Sequence, residues 1–132
     1  MGGLKKAVAY LYKATKEQKG GYSSFGQLAV VNRYAEAHGI EILEMYRDDG
    51  KERFDLNTLL VIDAPTGEFD CVIVDRLTRF GRKSTQILSA VNALRDYGIT
   101  VISVMEGIDT SSNTGAFVLA VLSALSDVGI GR

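Results

Sequence analysis

The residues with the most chemical potential are Asp75-Arg76-Leu77-Thr78-Arg79-Phe80-Gly81-Arg82-Lys83, four cations and a carboxylate within nine positions. A guanidinium stays protonated at any working pH, and its planar fork matches two oxygens of a phosphate. Arg76, Arg79 and Arg82 recur every third residue, so a helical turn would place them on one face. The pattern suits a phosphate clamp; a solvated basic loop is the alternative. The chain as a whole carries a formal net charge of −1, so any affinity for anions must be local to this stretch.

The flanking residues say where such a clamp would sit. Cys71 to Val74 is an apolar run that reads as a buried strand, and Ser84 can cap a helix with a stripe of Leu88, Val91, Leu94 and Tyr97. The cations therefore occupy a strand-to-helix turn at the carboxyl end of a strand, the edge where open α/β sheets keep their ligand sites. Upstream, Ala7 to Tyr12 suits a first buried strand and Lys13 to Tyr22 a flexible loop. Ser23 or Ser24 can cap a helix from Phe25 to about His38, with Gly39 as its C′ residue. His38, the single histidine, suits the negative end of that helix and reads as structural. Ile40 to Tyr46 reads as a second strand, and Arg47 to Arg53 as a charged, solvated turn without calcium-loop spacing. Asp55 can cap a short helix from Leu56 to Asp63, before Pro65-Thr66-Gly67 breaks the chain. Beyond Gly98, Ile99 to Met105 reads as a fourth strand and Glu106 to Ser112 as a loop. Asn113 or Thr114 opens a last helix that is apolar nearly all round, which calls for a second partner surface. Strands alternating with helices predict an α/β domain with a mostly parallel sheet of four to five strands.

Length and composition bound the rest. A chain of 132 residues makes a single domain, residues 1–132, and its 46% hydrophobic and 23% charged content is ordinary for a soluble globular fold. The one cysteine, Cys71, excludes an internal disulfide and reads as buried filler. No secretory segment or membrane-length apolar run is present, so a cytoplasmic protein without a membrane partner is expected.

Four motifs in order resemble the N-terminal catalytic domain of serine site-specific recombinases, the resolvase/invertase family. Asp75-Arg76-Leu77-Thr78-Arg79-Phe80-Gly81-Arg82 fits the family's D-R-L-x-R-x-x-R signature. Gly98 to Val101 through Glu106-Gly107-Ile108-Asp109-Thr110, followed by Thr114-Gly115 and the apolar helix, is similar to its later segment. Arg53 with Leu56, Leu59 and Leu60, and Glu17-Gln18 with Gln27, complete the match. The resemblance implies a three-layer resolvase-like fold with a long C-terminal oligomerisation helix, whose start here would be residues 113–128. It implies a serine hydroxyl that attacks a DNA phosphodiester, strand exchange within a tetramer, and no metal or other cofactor. Without a metal, side chains must hold the charge that develops on the phosphoryl oxygens. By position Arg53, Arg76 and Arg79 would carry that role. Asp75 would orient an arginine or help in proton transfer. Arg82, Lys83 and Gln27 would join Arg76 and Arg79 along the DNA phosphates.

The chain departs from the family where cleavage begins. The family's first strand ends in Y-x-R-x-S, the serine being the nucleophile. Read without a gap, Tyr10-Leu11-Tyr12-Lys13-Ala14 puts Tyr12 in the arginine position and Ala14 in the nucleophile position. Shifted by one residue, Lys13 and Thr15 take those roles, with Thr15 as a substitute nucleophile. Only one frame can hold, because a one-residue slide exchanges the faces of a strand. Tyr10, Glu17 and Gln18 fit the ungapped frame, in which the domain cannot cleave. Two further readings stand beside an impaired recombinase. One is a non-catalytic resolvase-like partner acting by oligomerisation or DNA association. The other is a phosphate or nucleotide binder with a flavodoxin-like sheet, which lacks the glycine-rich loop such sites use. No DNA-binding domain is recognisable after the last helix.

Overall fold

The computed structural model describes residues 4–13 and 24–112, together with residues 118 and 120. Its sheet has five strands in the order β2-β1-β3-β4-β5. β1 (Lys5–Lys13), β2 (Ile40–Asp49), β3 (Cys71–Val74) and β4 (Thr100–Ser103) are parallel, and β5 (Ile108–Asp109) pairs antiparallel with β4. The helices are α1 (Ser24–His38), α2 (Phe54–Asn57) and α3 (Ser84–Arg95). α2 continues into a π turn over Thr58–Asp63 and a 3-10 turn over Ala64–Thr66, and a further 3-10 turn spans Leu77–Arg79.

Alternation along the strands sorts the core into two layers. Ala7, Ala9, Cys71, Ile73 and Ile102 pack with Val31 of α1 on one face. Val8, Tyr10, Val72, Val74 and Val101 pack on the other with Leu56 and Leu59 of the α2 segment and with Ile87, Val91 and Leu94 of α3. Helices thus cover both faces, which is why all four residues of β3 are buried and why that strand reads as an unbroken apolar run. This is the three-layer α/β architecture expected from the motif order. Gly39 adopts φ 65° directly after α1, the left-handed geometry that suits a glycine at a helix end.

Several boundaries differ from the sequence reading. β2 runs three residues past Tyr46, so Asp48 lies on a strand and is buried, not in a solvated turn. Asp55 does not cap α2. The backbone N–H groups of Asp55 and Leu56 instead donate to the Asp48 carboxylate, each at 2.9 Å, while Asp55 accepts from Arg47 N–H at 3.0 Å. Tyr46, two residues before Asp48 on the same face, donates its hydroxyl to Asp63. One strand therefore ties down both ends of the α2 segment. α3 starts at Ser84 with Lys83 at the cap position, and Gln86 reaches back to accept from the N–H groups of Arg82 (2.8 Å) and Lys83 (3.0 Å). Gly81 lies beneath Gln86, where a Cβ would come within 2.4 Å of the glutamine's own Cβ. The buried face of α3 is Ile87, Ala90, Val91 and Leu94, which keeps Val91 and Leu94 of the expected stripe; Leu88 is half-buried against the core, and Tyr97 lies past the helix end and is 50% exposed. β4 ends at Ser103, and β5 falls within the expected Glu106–Ser112 loop.

Of the last helix, only residues 118 and 120 are described, both helical. Val118 is half-buried and packs onto the α2/α3 core layer, and Ala120 is exposed. The rest of 113–128 lies outside the described residues. Among the described residues, no helix is long and apolar enough to cross a membrane.

Candidate functional site

The carboxyl ends of β1 and β3 meet the start of α2, and there the structure brings together Tyr10, Tyr12, Asp48, Arg53, Asp75 and Arg79. Asp75 follows β3 directly and is fully buried. Arg79 grips it with two prongs, Nε to Oδ1 at 2.7 Å and Nη2 to Oδ2 at 3.0 Å. Only 12% of the Arg79 side chain is exposed, and its Nη1 also points to the carbonyl of Tyr12 at 3.5 Å. A paired, hydrogen-bonded carboxylate can stay buried where an isolated one would not.

Arg53 enters from the opposite side, immediately before α2. Its Nη1 donates to the Tyr10 hydroxyl at 3.2 Å and to the backbone carbonyl of Arg79. Its guanidinium lies over the Tyr12 ring, 3.8 Å from the centroid. Tyr10 in turn donates to Asp48 Oδ2 at 2.9 Å, so a continuous relay links Asp48, Tyr10, Arg53 and the Arg79 backbone. Asp48 thus takes three donors, two of them from the first turn of α2. The helix that carries Arg53 at its start is fixed by a carboxylate two strands' width from the basic turn.

Gln27 of α1 is fully buried, and both ends of its amide are spent on the backbone of Tyr12. Tyr12 N–H donates to Oε1 at 2.9 Å, and Nε2 donates to the Tyr12 carbonyl at 2.7 Å. β3 pairs with β1 only over Ala7–Ala9, so beyond that point the glutamine side chain does what a neighbouring strand would do. Gln27 is buried in this arrangement, with its amide committed to the Tyr12 backbone.

The basic turn itself is split. Arg76 has extended backbone (φ −145°, ψ 149°) and the 3-10 turn after it is only three residues long. The three arginines therefore do not share one helical face. Arg79 is drawn in, whereas Arg76, Arg82 and Lys83 are exposed. Glu106 Oε1 accepts from Leu77 N–H at 2.8 Å and from the Ser103 hydroxyl, anchoring the turn to the end of β4. Lys13 ends β1 and lines a 550 Å³ cleft with Arg47, Asp49, Glu52 and Phe54. Ala14 and Thr15, which hold the nucleophile position in the two frames, lie outside the described residues. Among the described residues, no cluster of histidine, cysteine, aspartate or glutamate is placed to hold a metal ion.

Sequence reasoning missed Asp48 as a member of this cluster, whereas Tyr10 and Tyr12 entered through the ungapped match to the family's first-strand pattern, with Tyr12 in the arginine position. Asp48 carried no sequence signal; the parallel register that sets it opposite Tyr12 brings it to the site. Burial, then the adjacent Asp48 carboxylate, pushes the Tyr10 phenol far above its usual range, with Arg53 opposing. Burial, then Asp63, does the same to Tyr46. Both phenols thus hold their protons in the folded chain at pH values where the unfolded chain, titrating near 10.0, has lost them. Their contribution to stability is complete below about pH 10 and is lost as the pH rises towards the folded values. Phenolate absorbance followed through an alkaline titration should show Tyr10 and Tyr46 ionising only with loss of secondary structure. Their early ionisation in a folded chain would contradict the relay.

Comparison with known proteins bears on the family and the fold. The family model for the resolvase N-terminal domain matches residues 7–129. The chain is 39% identical over 59 residues to the serine recombinase gin of Escherichia phage Mu, a match covering 45% of this chain and 31% of that protein. It is 29% identical over 123 residues to the DNA-invertase of Escherichia phage P1, covering 92% of this chain. The chain spans 60% of that invertase's length. The N-terminal catalytic domain of TP901-1 integrase superposes with a TM-score of 0.83 at 32% identity, covering 94% of this chain and 95% of that domain.

Proposed function

Because the chain belongs to the resolvase family, as a catalytic domain of the serine-recombinase type, we propose that it associates with the DNA backbone and does not cut it. The observation that carries this reading is the way the cations are sorted. Arg76, Arg82 and Lys83 are exposed on the β3–α3 turn, at the edge of the sheet where the family's substrate would lie, whereas Arg53 and Arg79 hold internal partners. Ala14, in the ungapped frame, offers no oxygen to attack a phosphodiester. DNA as the partner is supported by the invertase relative, whose name declares that substrate. Phosphate contacts position a protein on duplex without reading sequence, so the expected binding is weak and indifferent to sequence.

Such binding releases counterions. The logarithm of the affinity should fall with the logarithm of salt concentration by roughly 0.9 for each phosphate neutralised. A slope of about −2 to −3 is expected for duplex DNA, with most of it gone in the triple variant Arg76→Ala, Arg82→Ala, Lys83→Ala. Binding that ignores salt, or that survives the triple change intact, would sink the proposal.

Self-association through residues 114–128 belongs to the same reading. The run Phe117, Val118, Leu119, Val121, Leu122 and Leu125 makes the segment apolar nearly all round. The expected solution mass exceeds that of a monomer at high protein concentration, and a strictly monomeric mass would count against it.

A further inference from the structure

We propose that Tyr12 keeps phosphate-class anions out of the inner site, and that Arg53 and Arg79 serve there as a structural lock. This rests on the reading of the cluster as a recombinase-type site, and it assigns to Tyr12 the choice of what that site admits.

Three observations converge on it. The first is charge. Asp48 and Arg53 face each other through the Tyr10 hydroxyl, and Asp75 and Arg79 face each other directly. Within this group of four the charges cancel, and Tyr12 adds none. A site that grips a dianion needs surplus positive charge, and these four described residues supply none.

The second is occupancy. One face of the Arg53 guanidinium is covered by the Tyr12 ring, and its Nη1 is shared between Tyr10 and the Arg79 carbonyl. Arg79 gives Nε and Nη2 to Asp75. An incoming phosphate would have to compete with a cation–π contact and with charge-assisted hydrogen bonds in a half-buried setting, where each is stronger than in water.

The third is rigidity. Tyr12 is held at four points. Gln27 takes both its N–H and its carbonyl, Arg53 lies on its ring, and its hydroxyl donates to the carbonyl of Gly50 on the loop after β2. A residue whose backbone, ring and hydroxyl are each held in this way does not swing aside for a weak ligand. The ring joins β1, the β2–α2 loop and the residue before α2 into one unit, which is a stabilising role and not a substrate-binding one.

The test is a titration with inorganic phosphate, following by NMR the Nε–Hε resonances of Arg53 and Arg79 in the wild-type chain and in Tyr12→Ala, and that of Arg79 in Tyr12→Ala with Arg53→Gln. At the phosphate concentration that half-saturates Tyr12→Ala, the wild-type Arg53 resonance should have moved by only about a tenth of its full shift. The Tyr12→Ala variant should bind phosphate roughly tenfold more tightly than the wild type. The double variant should lose that gain. Phosphate binding at Arg53 in the wild type as tight as in a folded Tyr12→Ala overturns the proposal. If Tyr12→Ala does not fold, the wild-type titration still decides, together with Tyr12→Phe. That variant loses the tether to Gly50 and should gain part of the affinity; no gain there overturns the proposal. DNA binding through Arg76, Arg82 and Lys83 is measured separately, so its failure leaves this result standing.

Discussion

No covalent protein–DNA adduct should survive denaturation after this chain is incubated with duplex DNA. The expectation follows from the size of two effects. Replacing one charge-stabilising donor, as Tyr12 does for the arginine of the family pattern, typically costs about 3 kcal/mol of transition-state stabilisation and leaves a slow enzyme. Replacing the nucleophile removes the covalent route, with losses on the order of 10⁶-fold where a nucleophilic serine has been removed from a hydrolase. Ala14 therefore dominates Tyr12. The paired change Tyr12→Arg with Ala14→Ser is the variant in which adduct formation is expected to appear, and Ala14→Ser alone should give far less of it. An adduct with the unaltered chain would refute the ungapped frame. If that adduct then vanished on Thr15→Ala, Thr15 would be the attacking group and Lys13 its cationic neighbour.

Asp48→Ala is expected to destabilise the fold by about 3 kcal/mol, roughly 10 °C in midpoint for a chain of this size. The carboxylate is 7% exposed and accepts from Asp55 N–H, Leu56 N–H and the Tyr10 hydroxyl. Its removal strands three donors, two of them the orphan amides at the start of α2. Asp48→Asn keeps one carbonyl oxygen and should recover part of the loss. The damage should spread to the site, because α2 carries Arg53 at its entry and Tyr10 would lose the acceptor that orients its hydroxyl towards Arg53. Denaturant unfolding of the two variants checks this. A loss below about 1 kcal/mol would mean that Asp48 behaves as a solvated turn residue after all.

The two expectations draw on different kinds of information. Ala14 needs only the order of residues in the chain. Asp48 needs the strand pairing, because nothing in Arg47-Asp48-Asp49-Gly50 marks one aspartate as buried and the other as exposed. The parallel register that sets Asp48 opposite Tyr12 makes that distinction.

The sequence by itself determined the alternation of strands and helices, the buried β3 run, a helix from Phe25 to about His38 with Gly39 behind it, and the place of the basic turn at the end of β3. These are local. Apolar periodicity, turn residues and motif spacing report on neighbours within a few positions, and the motif order was enough to identify the family. Only the tertiary structure decided which cations face solvent. Arg76, Arg79 and Arg82 look equivalent at a spacing of three, yet a turn too short to be a helix leaves Arg76 and Arg82 outside and folds Arg79 onto Asp75. Likewise only the fold placed Tyr12 beneath Arg53 and set Gln27 across its backbone, contacts that span 41 and 15 residues. A side chain's partners across such distances depend on which strands become neighbours and in which register. That is a property of the whole packed sheet, and no window of sequence contains it.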